Sequence, residues 1–260
     1  MPPASLPQLP GLPGFPGFTV TQSGGVALIT ISRPAARNAL TAQMRRDFGL
    51  LVPHLDAAPE VRAIVLTGAD PSFTSGVDLK ERLAGDRIPP PVRPNPGEVL
   101  RACATPVIAA VNGACVTGGL EIALSCTFIV ASEHATFRDT HARLGMLPGW
   151  GLSALLPRAV GVRRAREMTL TGRPVGAREA LAIGLANSIW PHEELLPQSL
   201  ALAQSVAEAE PAAVRASLAL YAEGDGLPLA AALAAEGEAV SAWHPDPDRM
   251  RASFGRLTGR

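Results

Sequence analysis

Short apolar runs that end at turn-forming residues recur through the first half of the chain. Four of them have the length and the β-branched content of buried strands: residues 26–32, 63–67, 106–111 and 128–131. Between the first two runs, Met44, Phe48 and Leu51 are spaced to share one face of a helix. That helix begins near Thr41, and Pro53 is expected to break or kink it. Strands that alternate with helices predict an α/β core with parallel strand pairing.

Beyond residue 157 the pattern changes to stretches rich in alanine and leucine. Their periodicity predicts helices at residues 177–185, 193–209, 211–223 and 229–243. We therefore expect an α/β core over residues 19–195 and a helical C-terminal region over residues 196–260. Residues 1–18 are rich in proline and glycine, which predicts a disordered leader.

The first lysine or arginine of the chain is Arg33, so the leader lacks the basic residues of a secretory or transit signal. No apolar run approaches the roughly 18 residues of a membrane span, and a cytoplasmic protein is expected. The formal net charge is zero, without a basic stripe, which argues against nucleic acid as a partner.

Several common kinds of chemical site are excluded by spacing. The three cysteines and five histidines do not stand at metal-ligand spacing, so no metal site is expected. Residues 149–154 fit G-x-G-x-x-A, but they follow Pro148 and no acidic ribose partner stands about 20 residues later. No G-x-S-x-G motif of a serine hydrolase occurs.

Two glycine-containing turns, each after a predicted strand, carry the most informative residues. In the first, Asp78 and Glu81 have the spacing of a capping box, which predicts a helix start with free N–H groups nearby. In the second, Gly118 and Gly119 open an apolar helix and let a ligand approach the backbone. Together the two turns could direct two N–H groups at one carbonyl oxygen.

These turns belong to five ordered motifs that resemble those of the crotonase (enoyl-CoA hydratase/isomerase) superfamily. RPAARNAL at 33–40 resembles R-P-x-x-x-N-A-L, and 73–80 resembles F-x-x-G-x-D-[IL]-K. Residues 111–121 resemble V-N-G-x-x-x-G-G-G-x-E, with Thr117 in place of the first glycine of the three. LGMLPGWG at 144–151 and the segment 170–185 match two further motifs.

The resemblance implies a spiral of ββα units and C-terminal helices that form a homotrimer or a dimer of trimers. It also implies an acyl-CoA thioester substrate, with coenzyme A bound as part of the substrate and no separate cofactor. The backbone N–H groups of Val77 and Gly118 would form the oxyanion hole. The residues expected along the coenzyme A portion are Arg37, Ser75, Gly76, Asp78 and Lys80.

Glu121 occupies the position of the first catalytic glutamate of hydratases in this family, where it would orient and deprotonate water. A carboxylate in an apolar helix beside two glycines is also costly to bury without a role. The second glutamate should stand twenty residues later, but His141 is found there. Neutral His141 could relay a proton, Asp139 could swing in instead, or both could be structural.

These residues predict an enoyl-CoA hydratase, with alternatives that the histidine leaves open. The alternatives are double-bond isomerisation, decarboxylation or thioester hydrolysis, and a non-catalytic acyl-CoA binding protein. Trp150 stands where many members have a small residue, so it either narrows the acyl pocket or belongs to the core or an interface.

Overall fold

The computed structural model describes residues 14–85 and 88–258. Most of the proposed leader therefore lies outside the described residues, but its last residue, Phe18, is buried and begins the first strand. These residues contain ten strands: β1 (Phe18–Ser23), β2 (Val26–Ile31), β3 (Ala63–Gly68), β4 (Ser72–Thr74), β5 (Val107–Val111), β6 (Ala114–Val116), β7 (Phe128–Ser132), β8 (Thr136–Arg138), β9 (Val175–Gly176) and β10 (Ser188–Trp190).

Eleven α-helices and two short 3₁₀ turns, at Pro34–Ala36 and Ala142–Leu144, connect and cover the strands in the described chain. The helices are α1 (Ala42–Ala57), α2 (Leu79–Arg82), α3 (Pro96–Ala102), α4 (Gly118–Ser125), α5 (Leu152–Val160), α6 (Val162–Thr171), α7 (Ala177–Ala182), α8 (His192–Glu208), α9 (Pro211–Gly224), α10 (Leu229–Ala242) and α11 (Pro247–Thr258).

The strands form two sheets, and from β3 to β8 successive strands alternate between them. The large sheet has the order β1-β2-β3-β5-β7-β10 and is parallel except for the β1–β2 hairpin. The small sheet has the order β4-β6-β8-β9, with β4, β6 and β8 parallel. Each of the pairs β3–β4, β5–β6 and β7–β8 thus gives one strand to each sheet, and helices follow. The predicted α/β class with repeated ββα units is confirmed.

Both faces of the large sheet are covered. Every residue of β3 and β5 is buried, as expected for the centre of a parallel sheet. One face packs against α8 through Leu195, Ala203 and Ala207, whereas the other face shares the main core with α1 and the small sheet. Helix α1 continues through Pro53 to Ala57 rather than breaking, because its apolar face is anchored in that core.

The C-terminal region is helical, and it leaves large apolar side chains exposed. Helix α10 packs against α9, and within the described chain neither helix contains a buried residue. The exposed apolar side chains of α9 to α11 include Tyr221, Leu229, Leu233, Val240, Met250 and Phe254. No helix among the described residues is long and apolar enough to cross a bilayer.

Candidate active site

The two glycine-containing turns meet at one end of the small sheet. The first follows β4 and the second follows β6, which are adjacent parallel strands. At Gly76, whose φ is +81°, an added Cβ would lie 2.7 Å from the nitrogen and 2.9 Å from the Cα of Gly118. The two backbones are therefore in direct contact, and only glycine at position 76 allows this approach.

The contact leaves two backbone N–H groups directed at the same space. Leu40 donates its N–H to the carbonyl of Gly76 and accepts from the N–H of Asp78, so the N–H of Val77 points away from Leu40. Gly118 is the first residue of α4, where N–H groups have no intrahelical acceptor. Within the described residues neither N–H is paired, and both residues line a cavity of about 880 Å³.

Glu121 lies one turn into α4 and extends into the same cavity. Its Oε1 accepts the backbone N–H groups of Trp150 and Leu152, with N···O distances of 2.7 and 3.3 Å. Its Oε2 faces Nε2 of His141 at 3.6 Å. Burial raises the pKa of Glu121, and the hydrogen bond from Trp150 and the proximity of His141 oppose this shift only in part.

His141 is held by Asp139. Oδ1 of Asp139 accepts both the backbone N–H of His141, at 3.0 Å, and its ring Nδ1, at 2.7 Å. Burial alone would raise the pKa of Asp139, but the opposing contacts, led by the two hydrogen bonds from His141, together outweigh it and the pKa is lowered. An ionised Asp139 can only accept, so Nδ1 of His141 carries a proton and the other ring nitrogen, Nε2, faces Glu121.

In this structure Asp139 points away from the cavity. Its side chain is fully buried, does not line the cavity and contacts the site only through His141 among the described residues. Asp139, His141 and Glu121 thus form a chain of contacts that ends in the cavity, next to the two free N–H groups.

Comparison with known proteins shows the family of this chain. The family model for enoyl-CoA hydratase/isomerase matches residues 21–249. A short-chain-enoyl-CoA hydratase from Clostridium acetobutylicum is 35% identical over 231 residues, covering 84% of this chain and 85% of that protein. The chain belongs to the enoyl-CoA hydratase/isomerase family.

Solved structures of enoyl-CoA hydratases share the fold. One from Mycobacterium tuberculosis is 44% identical, with a TM-score of 0.74 over 85% of this chain and 95% of that one. Another, from Bacillus anthracis, is 29% identical, with a TM-score of 0.86 over 94% of this chain and 97% of that one. The crotonase fold expected from the five motifs is therefore confirmed.

The residues expected along coenzyme A are only partly brought together. Three of them, Ser75, Asp78 and Lys80, line the cavity. Gly76 is not in the lining, but its backbone contacts Gly118, which is. Arg37 is exposed and does not line the cavity, because its left-handed backbone turns it out of the loop that follows the first 3₁₀ turn.

Both carboxylate oxygens of Asp78 are bonded to neighbouring protein groups. Its Oδ1 accepts the N–H groups of Lys80 and Glu81 as the N-cap of α2, and its Oδ2 pairs with Arg33 at 2.9 Å. Glu81 does not complete the capping box, since it accepts the N–H of Ala42 at 2.7 Å and so fastens α2 to α1. Asp78 therefore shapes the cavity wall rather than offering a free carboxylate.

The cavity is more cationic than the sequence alone indicated. Among the described residues, seven arginine and lysine side chains line it, against only two carboxylates, Asp78 and Glu121. Arg45, Arg82 and Arg93 were not expected there. They lie on different elements at irregular spacing, so no single motif marks them.

Trp150 lies both in the main core and at the wall of the cavity. The residue is 9% exposed, and its side chain also lines the cavity. An added Cβ on Gly118 would lie 2.8 Å from Cζ3 of the indole. The ring is therefore a wall of the cavity beside the proposed oxyanion hole, while the backbone N–H of Trp150 orients Glu121.

Proposed function

We propose that this protein is an enoyl-CoA hydratase that adds water across the 2,3 double bond of an enoyl-CoA. The observation that carries the proposal is the 3.6 Å approach of Glu121 Oε2 to His141 Nε2 beside two unpaired N–H groups. In this proposal Glu121 is ionised and the ring of His141 is neutral with its proton on Nδ1, so both side-chain atoms are acceptors. A water molecule can therefore give one hydrogen to each of them.

Substrate binding follows from the charge and lining of the cavity. The cationic wall that includes Arg33 and Lys80 complements the phosphates of coenzyme A. The thioester oxygen would accept hydrogen bonds from the N–H groups of Val77 and Gly118. Gly118 also lies at the positive end of the α4 dipole. This polarises the double bond and makes its β-carbon electrophilic.

The proton transfers then balance within the site. Glu121 takes one proton from the water, whose oxygen bonds to the β-carbon, and the electrons of the double bond move onto the thioester oxygen as an enolate. Glu121 returns that proton to the α-carbon, so the hydroxyl group and the hydrogen that are added both come from the water. Burial raises the pKa of Glu121, which makes it a better base than an exposed carboxylate.

In this scheme His141 holds the second hydrogen of the water. Its ring must be neutral to accept, and Asp139 keeps the proton on Nδ1 so that Nε2 is available. We also propose, as the family resemblance implies, that the chain assembles as a trimer or a dimer of trimers through its C-terminal helices.

The test is hydration of crotonyl-CoA, followed by loss of enoyl absorbance, with calorimetric binding of the same thioester measured in parallel. Glu121→Gln should lower kcat by about 10²- to 10⁴-fold, the usual range for a general acid–base group, while crotonyl-CoA still binds. Asp47→Asn is the matched control, because Asp47 is a buried carboxylate of α1 outside the cavity. It should keep wild-type turnover.

The other outcomes assign the site differently. Binding of crotonyl-CoA by the wild type without hydration would favour the non-catalytic binding protein. Conversion of a 3-enoyl-CoA into its 2-enoyl isomer, again without hydration, would favour an isomerase. Wild-type hydration that survives Glu121→Gln would refute the role of Glu121.

A further inference from the structure

Thr117 has a backbone conformation that a β-branched residue rarely adopts. Its φ of +55° and ψ of −107° lie in a region open mainly to glycine. The family motif has glycine at this position, whereas this chain has threonine. The side chain is therefore accommodated against a local backbone preference, directly before the N–H of Gly118.

The N–H and the hydroxyl group of Thr117 both bond to one segment, residues 138–140. Its N–H donates to the carbonyl of Arg138 at 2.7 Å. Its Oγ1 accepts the N–H of Thr140 at 3.2 Å and is also hydrogen-bonded to the hydroxyl of Thr140. Both threonines line the cavity, and Thr117 is 8% exposed.

Thr140 lies between the two members of the Asp139–His141 pair. Fixing residue 140 therefore fixes the segment that sets the position of the imidazole. On the other side, Thr117 is bonded covalently to Gly118, which starts α4. One hydroxyl group thus connects the proposed oxyanion donor with the proposed water-binding ring.

We propose that Thr117 is a positioning residue, whose hydroxyl group, paired with Thr140, holds the N–H of Gly118 in register with His141. This rests on the proposed function, because register between the two matters only if thioester and water react. A glycine at position 117 would relieve the backbone strain but leave the two segments free to move relative to each other.

Four variants separate positioning from simple structural support. Thr117→Ser keeps the hydroxyl group, and Thr117→Gly removes it together with the strain. Thr140→Ala removes the partner hydroxyl group without changing residue 117. Thr136→Ala is the matched control, since Thr136 is an exposed threonine of β8 outside the cavity.

With crotonyl-CoA, Thr117→Gly and Thr140→Ala should each lower kcat on the order of tenfold, because small displacements of reacting groups are costly, and KM should change little. Thr117→Ser and Thr136→Ala should keep wild-type kcat. The melting temperature of Thr117→Gly should not fall. The double variant Thr117→Gly/Thr140→Ala should lose no more than the more affected single variant, since both changes remove one interaction.

A second arm does not depend on hydration. Acetoacetyl-CoA forms an enolate that absorbs in the near ultraviolet, and an oxyanion hole favours that enolate. The bound enolate fraction at fixed pH should fall in Thr117→Gly and Thr140→Ala and persist in Thr117→Ser. If the wild type fails to hydrate crotonyl-CoA, the proposed function is lost, and this arm alone decides the role of Thr117.

Three results would overturn the inference. The first is an unchanged kcat and enolate fraction in Thr117→Gly. The second is a loss in Thr117→Ser equal to that in Thr117→Gly. The third is no enolate of acetoacetyl-CoA on the wild-type protein, which would remove the oxyanion donor that Thr117 is proposed to hold.

Discussion

Replacing Gly76 by alanine tests the proposed oxyanion hole without touching any catalytic side chain. The added Cβ would lie 2.7 Å from the backbone nitrogen of Gly118, whereas ordinary contacts begin at about 3.5 Å. The two turns must therefore separate by about 0.8 Å, the difference between these distances. The atoms that must move are backbone atoms of the helix start, so no flexible side chain can absorb the clash.

A displacement of this size should be expensive for catalysis. A shift of about 1 Å in a reacting group can cost about 100-fold in rate. Loss of one oxyanion donor costs about 10²- to 10³-fold in kcat, or about 2.7–4 kcal/mol. We therefore expect Gly76→Ala to reduce kcat/KM for crotonyl-CoA by about 100-fold. The left-handed φ of +81° adds a stability cost of about 1–2 kcal/mol for any residue with a Cβ.

Gly161→Ala provides the control for backbone strain. Gly161 has the same φ of +81°, lies between α5 and α6, and has no neighbouring atom within 4 Å of an added Cβ. It should lose stability in urea unfolding and keep full turnover. Equal losses of activity in Gly76→Ala and Gly161→Ala would show that strain, and not the contact with Gly118, is responsible. Full activity in Gly76→Ala would refute the placement of the donor.

Three further predictions concern charge and assembly. Burial raises the pKa of Glu121, so folding disfavours its ionised form. Glu121→Gln should therefore unfold at a higher urea concentration than the wild type at neutral pH. This difference in stability should disappear as the pH falls below the ordinary pKa of glutamate. Asp139→Asn should lower kcat by about tenfold or more and alter the acid limb of the pH–rate profile, since the tautomer of His141 is no longer fixed. Light scattering at micromolar concentration should show a trimer or hexamer, and Leu233→Glu on the exposed face of α10 should shift it towards monomer.

Apolar periodicity was sufficient for β2, β3, β5 and β7 of the large sheet and for helices α7 to α10, but it missed the two edge strands β1 and β10 and the last helix, α11. It was not sufficient for the small sheet, because β4, β6 and β8 are three residues each and contain polar or small side chains. A three-residue strand has no alternating pattern long enough to detect. The two-sheet architecture was therefore accessible only through the resemblance of ordered motifs.

The candidate site, too, could be predicted from the sequence only in part. The two glycine turns could be predicted because two backbones, or a backbone and a ligand, can approach closely only where no Cβ stands between them. The role of Asp139 could not, because Asp139 and His141 follow the end of β8 in irregular backbone, where spacing along the sequence does not determine which side chains meet. Nor did any sequence signal reveal that Glu81 would bind α1 instead of capping its own helix.

The Asp139–His141 pair gives a physical reason why a histidine can occupy the second glutamate position. Two carboxylates beside one water repel each other, and each raises the pKa of the other. A histidine adds no second negative charge beside the water, and His141 opposes the rise in the pKa of Glu121 instead of adding to it. A glutamate in place of His141 would stand between Asp139 and Glu121 and would bring three carboxylates together. Restoring the two-glutamate arrangement in this chain therefore requires a change at Asp139 as well as at His141, and the two positions must be regarded as one unit.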